Sequence, residues 1–290
     1  MADEGCLSRV LTRKADRKWV RARFRFGFSL IELLIVIAII AILAALLFPV
    51  LASARAASLK TRCASQIKQL AMAALLYADD NNSRYVPAAP DIDVQGRFGN
   101  LQRWHGIRAT SKGVFNSARG PLWKYITQTS ELLKCPLASR LRSQPEDLNA
   151  FESGGGGYGY NSTYVGGTYY RNPSPEAAQV ASLVSDIRTP SKTVMFADTA
   201  MPMRSPQPHL VEYSFCEPPY AVIDGVQQQG HMSPSLHFRH VKLACVAWCD
   251  GHVSAERMSF TIPYNAYRVN NAQFNVGWFG PDDNSLFDNE

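Results

Sequence analysis

An uncharged apolar run near the N-terminus constrains this chain more than any other feature. Residues Leu33 to Ala54 carry no charge. As a helix they would extend roughly 33 Å, about the thickness of the hydrocarbon core of a bilayer. A run of this length, apolar on all sides, favours a single membrane span over a buried core helix. The mean hydropathy of the whole chain is −0.14, which excludes a polytopic membrane protein.

The positive charge of the chain is concentrated before this run. Residues 1–27 hold eight basic and three acidic residues, a net charge of +5, whereas the whole chain carries +6. A basic flank before a single span predicts that residues 1–27 lie in the cytoplasm and that the rest is extracytoplasmic. A nucleic-acid partner is not expected, because it would require a basic face on the folded part of the chain.

A cleaved secretory signal is the competing interpretation of the same segment. Ala52-Ser53-Ala54 has the small-x-small pattern of a signal peptidase site. However, the apolar run is longer than the roughly 7–15 residues of an ordinary signal sequence. Glu32 also lies at its start, where a carboxylate at membrane depth costs on the order of 2.5–3.5 kcal/mol and usually marks a function. The span is therefore predicted to stay in the chain.

The segment Gly27-Phe28-Ser29-Leu30-Ile31-Glu32 resembles the cleavage and methylation signature of bacterial type IV pilins and type II secretion pseudopilins. The resemblance implies that a prepilin peptidase cuts after Gly27 and methylates Phe28, and that Pro49 is the helix-kinking proline of many such proteins. Cutting after Gly27 would create an α-amino cation at Phe28, four residues before Glu32 on the same helical face. In a filament the two charges would compensate each other.

Beyond the span, apolar residues continue at helical spacing and predict one long helix. The members of this stripe step by three or four residues: Leu59, Cys63, Ile67, Leu70, Ala74 and Tyr77. We therefore expect a leader at 1–27 and a helix at 28–80, with a membrane half at 28–54 and an amphipathic half at 55–80. A β-rich globular head would follow at 81–290.

The head contains short β-rich runs separated by Gly and Pro: Thr193–Ala197, Ala221–Ile223, Val241–Trp248 and His252–Ala255. They predict a small antiparallel sheet laid against the amphipathic half of the helix. The fold class expected is therefore α+β and pilin-like.

His240, followed after nine residues by Asp250-Gly251, resembles the His-x9-Asp-Gly signature of large pseudopilin-like proteins. The alternating strand Val241–Cys249 predicts that Asp250-Gly251 forms a type I′ turn and that the motif is structural, with His240 anchoring a neighbouring loop. One extended strand would separate His240 from Asp250 by roughly 33 Å. That excludes a catalytic or metal pair unless the chain folds back.

Metal and disulfide chemistry in the head stays open. Five cysteines remain once Cys6 leaves with the leader, and a disulfide between Cys63 and Cys135 would join helix and head in an oxidising compartment. Zinc is disfavoured at Cys245, Cys249 and His252, even with His237 and His240 nearby, because the two cysteines would stand about 13 Å apart on a strand. Resemblance to the major secretion pseudopilin allows calcium in the head loops, with Asp198, Asp224 or Asp282 as ligands. No other cofactor is expected.

The resemblance thus implies a structural subunit of an inner-membrane-rooted filament, either a type IV pilus or a type II secretion pseudopilus. Its expected partners are a prepilin peptidase, other pilin or pseudopilin subunits, an inner-membrane assembly platform and membrane lipid. The alternative is a membrane-tethered binding module that uses the prepilin N-terminus only for export. An enzyme is not expected, because Ser65-x-x-Lys68 lacks the companion motifs of serine acyltransferases.

Overall fold

The computed structural model describes residues 29–92, 100–111, 113–126, 134–138, 141, 153–168, 174–204 and 207–289. The chain divides into two units, Met1–Leu51 and Ala52–Glu290. The helix α1 spans Leu30–Asp80. The strands are β1 Gln102–Arg103, β2 Gly106–Ile107, β3 Tyr158–Tyr160, β4 Val194–Asp198, β5 Met201–Met203, β6 His209–Val211, β7 Tyr220–Ile223, β8 Val226–His231, β9 Leu236–His237, β10 Leu243–Trp248, β11 Val253–Arg257 and β12 Val276–Gly277.

In the first unit, the described residues from Leu30 onward are helical and almost all exposed. An 18-residue window of α1 reaches a mean hydropathy of 3.2 with none of its residues buried. This helix is long and apolar enough to cross a membrane. It runs through Pro49, which has no N–H to donate to the carbonyl of Ala45.

In the second unit, α1 buries one face. The buried residues are Cys63, Gln66, Ile67, Leu70, Ala71, Ala73, Ala74 and Ala78. Four members of the predicted stripe are among them, while Leu59 and Tyr77 are half-buried. The helix ends where the N–H of Ser83 donates to the carbonyl of Ala78 at 2.9 Å.

The central sheet has four antiparallel strands in the order β11-β10-β4-β3. On β10 and just beyond it, Cys245, Ala247 and Cys249 belong to a core that also contains the buried residues of α1 between Cys63 and Ala74. The alternate residues Ala244, Val246 and Trp248 belong to a second core. The predicted alternation and the α+β class are therefore confirmed.

Candidate functional site

The N-terminal motif is seen from Ser29 onward, since Gly27 and Phe28 lie outside the described residues. The backbone N–H of Ser29 donates to Glu32 Oε2 at 2.8 Å. Ser29 Oγ in turn accepts from the N–H of Ile31 at 3.4 Å. These reciprocal bonds resemble a capping box, in which Ser caps the helix and Glu three residues later satisfies its N–H. Glu32 thus has a local structural role in addition to the assembly role that the sequence predicts.

The chain folds back directly after His240, which is 1% exposed. The N–H of His240 donates to the carbonyl of Leu243 at 2.9 Å, and the N–H of Leu243 donates back at 3.2 Å. Between them Val241 and Lys242 take φ values of 56° and 63°. β10 therefore begins at Leu243 rather than at Val241. The predicted separation along one extended strand does not apply to His240.

This turn brings His240 into a buried group of five side chains, which we call the His240 cluster. His240 Nε2 lies 3.3 Å from Asp198 Oδ2 and 3.5 Å from Cys135 Sγ. Cys63 Sγ donates to Asp198 Oδ1 at 3.4 Å. The cluster consists of Cys63 from α1, Cys135 from a loop, Asp198 at the end of β4, His240, and Cys245 on β10. Apart from Cys135, their sulfur, nitrogen and oxygen atoms all lie within 4.8 Å of one another.

Asp198 is the charged centre of the His240 cluster and is fully buried. Its Oδ2 accepts from the N–H of Cys245 at 2.7 Å, and its Oδ1 lies 3.8 Å from the Arg239 guanidinium. Burial alone would raise the pKa of Asp198, but Arg239 and His240 hold that pKa below its ordinary value. Burial would also lower the pKa of His240, yet Asp198 and Cys135 raise it to about 9.

Two residues that the sequence does not assign to a site, Arg239 and Tyr158, support the His240 cluster. Arg239 donates to the carbonyls of Gly157 at 2.6 Å and Thr199 at 2.7 Å. The Tyr158 hydroxyl lies 3.1 Å from Cys63 Sγ and donates to Gln66 Oε1 at 2.9 Å. No spacing in the sequence connects these positions, although Arg239 directly precedes His240. Burial raises the pKa of the Cys63 thiol, so this thiol keeps its proton at neutral pH.

Asp250 and Gly251 close the β10–β11 hairpin and have partners other than His240. Asp250 Oδ1 accepts from the N–H of His252 at 3.0 Å and lies 2.6 Å from its Nδ1. The N–H of Gly251 donates to the carbonyl of Trp248 at 2.9 Å. Gly251 has φ 85°, whereas Asp250 does not have a positive φ. The predicted type I′ turn is therefore wrong, because the loop has three residues and needs only Gly251 in the left-handed region.

The two cysteine arrangements considered from the sequence have different outcomes. Cys249 lies beside Tyr85 and His252 pairs with Asp250, so Cys245, Cys249 and His252 do not form one site. The five described cysteines are free thiols in this structure. A disulfide between Cys63 and Cys135 stays a prediction.

The carboxylates considered for calcium have separate surroundings. Asp198 belongs to the His240 cluster, and Asp224 lies in the β7–β8 turn with φ 53°. Asp282 Oδ1 accepts from the Tyr220 hydroxyl at 3.1 Å and lies 2.8 Å from His231 Nε2. A calcium ion in the head loops stays a prediction.

Comparison with known proteins gives one informative result. The family model described as the prokaryotic N-terminal methylation motif matches residues 23–48. No curated protein and no solved structure matches the chain. The matched segment contains Gly27, Phe28 and Glu32 and continues into the exposed apolar part of α1. It supports a type IV pilin-like prepilin, and together with the apolar helix it fits a single-pass membrane anchor.

Proposed function

We propose that this chain is the precursor of a filament subunit of the pilin or pseudopilin type. A prepilin peptidase would cut between Gly27 and Phe28 and methylate Phe28. The mature chain would remain in the inner membrane, with its head on the extracytoplasmic side, until it is assembled. The observation that carries the proposal is the methylation motif at residues 23–48, which leads directly into an apolar helix.

The exposure of α1 supports an apolar environment for its first half. Each large apolar side chain from Leu30 to Leu51 leaves at least 43% of its surface exposed. Apolar surface on this scale is stable in lipid or against other apolar helices, and it is unfavourable in water. A membrane-anchored subunit that enters a helical bundle meets both environments in turn. Membrane lipid, an assembly platform and other subunits are the partners that follow.

Glu32 and Pro49 would then serve assembly. In the mature chain Phe28 carries a new α-amino cation, and a carboxylate four residues along the helix can compensate it inside a chain or between neighbours. Pro49 withholds one helical hydrogen bond, which permits the helix to bend as it leaves the membrane for the filament.

Processing and location test the proposal together. The full chain is expressed with its peptidase, and the membrane fraction is compared with filaments sheared from the cells. N-terminal sequencing should begin at N-methyl-Phe28, and electron microscopy should show filaments that contain the chain. As a matched control, Gly27→Leu should keep the +5 leader and stay in the membrane, because the charged leader cannot enter an apolar bundle.

Two other results would contradict the filament role in different ways. A mature chain that begins at Arg55 would indicate ordinary signal peptidase cleavage and a released head. A chain that begins at N-methyl-Phe28 but is found only in the membrane fraction, alongside filaments that lack it, would favour the membrane-tethered binding module.

A further inference from the structure

We propose that the His240 cluster binds a divalent transition metal ion, with Zn²⁺ as the expected occupant. The ligands would be Cys63 Sγ, Asp198 Oδ1 or Oδ2, His240 Nε2 and Cys245 Sγ, whose donor atoms lie within 4.8 Å of one another. This donor set of two sulfurs, one nitrogen and one oxygen is of the kind that Zn²⁺ prefers. The proposal does not depend on filament assembly.

The distances in the cluster approach those of a tetrahedral site. Zinc bonds of roughly 2.0–2.3 Å place neighbouring ligand atoms about 3.3–3.8 Å apart in a tetrahedron. Asp198 Oδ2 lies 3.3 Å from His240 Nε2, and the other oxygen, Oδ1, lies 3.4 Å from Cys63 Sγ. All four donor atoms lie within 4.8 Å of one another, so a contraction of up to about 1 Å would bring them onto one ion.

Three of the four ligands lie on helix or strand elements of the second unit, and all four ligands are buried. Cys63 lies on α1, Asp198 ends β4, and Cys245 lies on β10 next to β4. His240 reaches the group through the tight turn that precedes β10. Sites built on packed helices and strands hold their geometry better than sites on loops.

The charges of the site balance when a divalent ion is bound. The ligand set would contribute two thiolates and one carboxylate, and the ion contributes two positive charges. Arg239, which is buried with its guanidinium 3.8 Å from Asp198, supplies the remaining positive charge. The sum is zero, as a site taken out of water requires. Metal binding would release three protons to solvent, one from each thiol and one from the protonated His240, because the thiolate and the neutral imidazole are the ligands.

Neighbouring groups already orient the ligands. The Tyr158 hydroxyl contacts Cys63 Sγ and donates a hydrogen bond to Gln66. The N–H of Cys245 fixes Asp198 Oδ2. Arg239 is held by two backbone carbonyls. Partners of this type, which fix the rotamers of ligating side chains, are a regular part of metal sites.

Cys135 could form a disulfide with Cys63, and this disulfide would compete with metal binding. Cys135 lies 3.5 Å from His240 Nε2 and interacts with the side chain of Cys63. A disulfide between Cys63 and Cys135 would remove one ligand from the proposed site. The two outcomes therefore exclude each other in any one molecule.

Metal titration of the full chain in detergent tests the proposal. The purified protein is reduced, stripped with a chelator and titrated with Zn²⁺ against a chromophoric chelator, then with Co²⁺. We expect one ion per chain and a cobalt spectrum with tetrahedral d–d bands and a thiolate charge-transfer band. Cys63→Ser, Cys245→Ser and His240→Gln should each weaken Zn²⁺ binding about 100-fold or more, since even loss of an outer partner costs roughly 10–100-fold.

Cys249→Ser is the matched control, because Cys249 is buried on the same side of β10 but lies outside the group. It should bind Zn²⁺ like the unchanged chain. Circular dichroism reports whether each variant folds. If the ligand variants do not fold, the cobalt spectrum of the unchanged chain shows whether thiolates bind the metal. The proposal is overturned if the folded, reduced chain binds no Zn²⁺, if that spectrum lacks the thiolate band, or if alkylation and mass spectrometry find Cys63 disulfide-bonded to Cys135 in the chain as isolated.

Discussion

Glu32 has a local role at the start of α1 and, in the proposed filament, a second role that depends on partners. Its carboxylate caps the start of α1 by accepting from the N–H of Ser29. In a filament the same carboxylate would compensate the α-amino group of Phe28. The first role needs only an acceptor oxygen, whereas the second needs a negative charge.

Two substitutions at Glu32 separate these roles. Glu32→Gln keeps an acceptor that can close a capping box but removes the charge, whereas Glu32→Ala removes both. If charge compensation drives assembly, both variants should insert into the membrane and both should lower the yield of sheared filaments. Immunoblotting of the membrane and sheared fractions measures this. Normal filament yield with Glu32→Gln and reduced yield with Glu32→Ala would assign Glu32 to capping alone.

His240 is a residue of the candidate site whose neighbours in the folded chain could not be predicted from the sequence. The alternation of residues after it suggested that a strand begins at Val241. The structure instead puts Val241 and Lys242 at positive φ, and a β-branched residue such as valine rarely adopts that conformation. This reversal brings His240 to side chains that are far away in the sequence, namely Cys63, Cys135 and Asp198. No local sequence pattern predicts that these residues contact His240.

At the scale of elements, the sequence predicts structure best where the residue pattern within one helix or strand is sufficient. The stripe of α1 and the two faces of β10 follow from periodicity, and both are confirmed. The sequence also predicts the hairpin between β10 and β11, but the predicted type I′ turn is wrong. An Asp-Gly pair fits both a two-residue type I′ loop, as at Asp224-Gly225, and a three-residue loop with one left-handed glycine.

The turn at Gly251 gives a testable consequence for stability. A Cβ there would lie 3.4 Å from Leu75 and 3.5 Å from Met72, which are ordinary contacts. The cost of a substitution therefore arises from the φ of 85°, about 1–2 kcal/mol for a residue with a side chain. Gly251→Val should lower the melting temperature of the head by several degrees, at roughly 2–4 °C per kcal/mol.

Gly251→Asn is the control for this effect, because asparagine tolerates the left-handed region better than valine does. Its loss should be clearly smaller when both variants are melted by circular dichroism in the same detergent. Equal melting temperatures for the unchanged chain and Gly251→Val would show that the turn does not need glycine.

At the scale of the whole second unit, stability depends on a core that α1 and the sheet build together. Ile67 and Leu70 on the helix belong to the same buried core as Phe196 of β4 and Cys245 of β10. Because neither side can bury its apolar face alone, we expect the helix segment after Ala52 and the sheet to unfold in one transition.

Substitutions on the two faces of α1 check this expectation. Ile67→Ala, at a fully buried position, should lower the free energy of unfolding by about 2–5 kcal/mol. Leu76→Ala, where 47% of the side chain is exposed, should change it by about 0.5 kcal/mol or less. Denaturant titration followed by tryptophan fluorescence measures both. Separate transitions for helix and sheet, or equal losses for the two variants, would contradict a shared core.

The burial of α1 between Cys63 and Ala78 also determines how the head could be shed from a membrane. A protease that cuts between Ala54 and Leu59 would release a product that keeps its apolar cover and dissolves. A cut at Asn81 would instead uncover the side of the sheet that carries Cys245, Ala247 and Cys249, and the fragment should aggregate. Soluble fragments of this protein should therefore still carry the segment of α1 between Cys63 and Ala78.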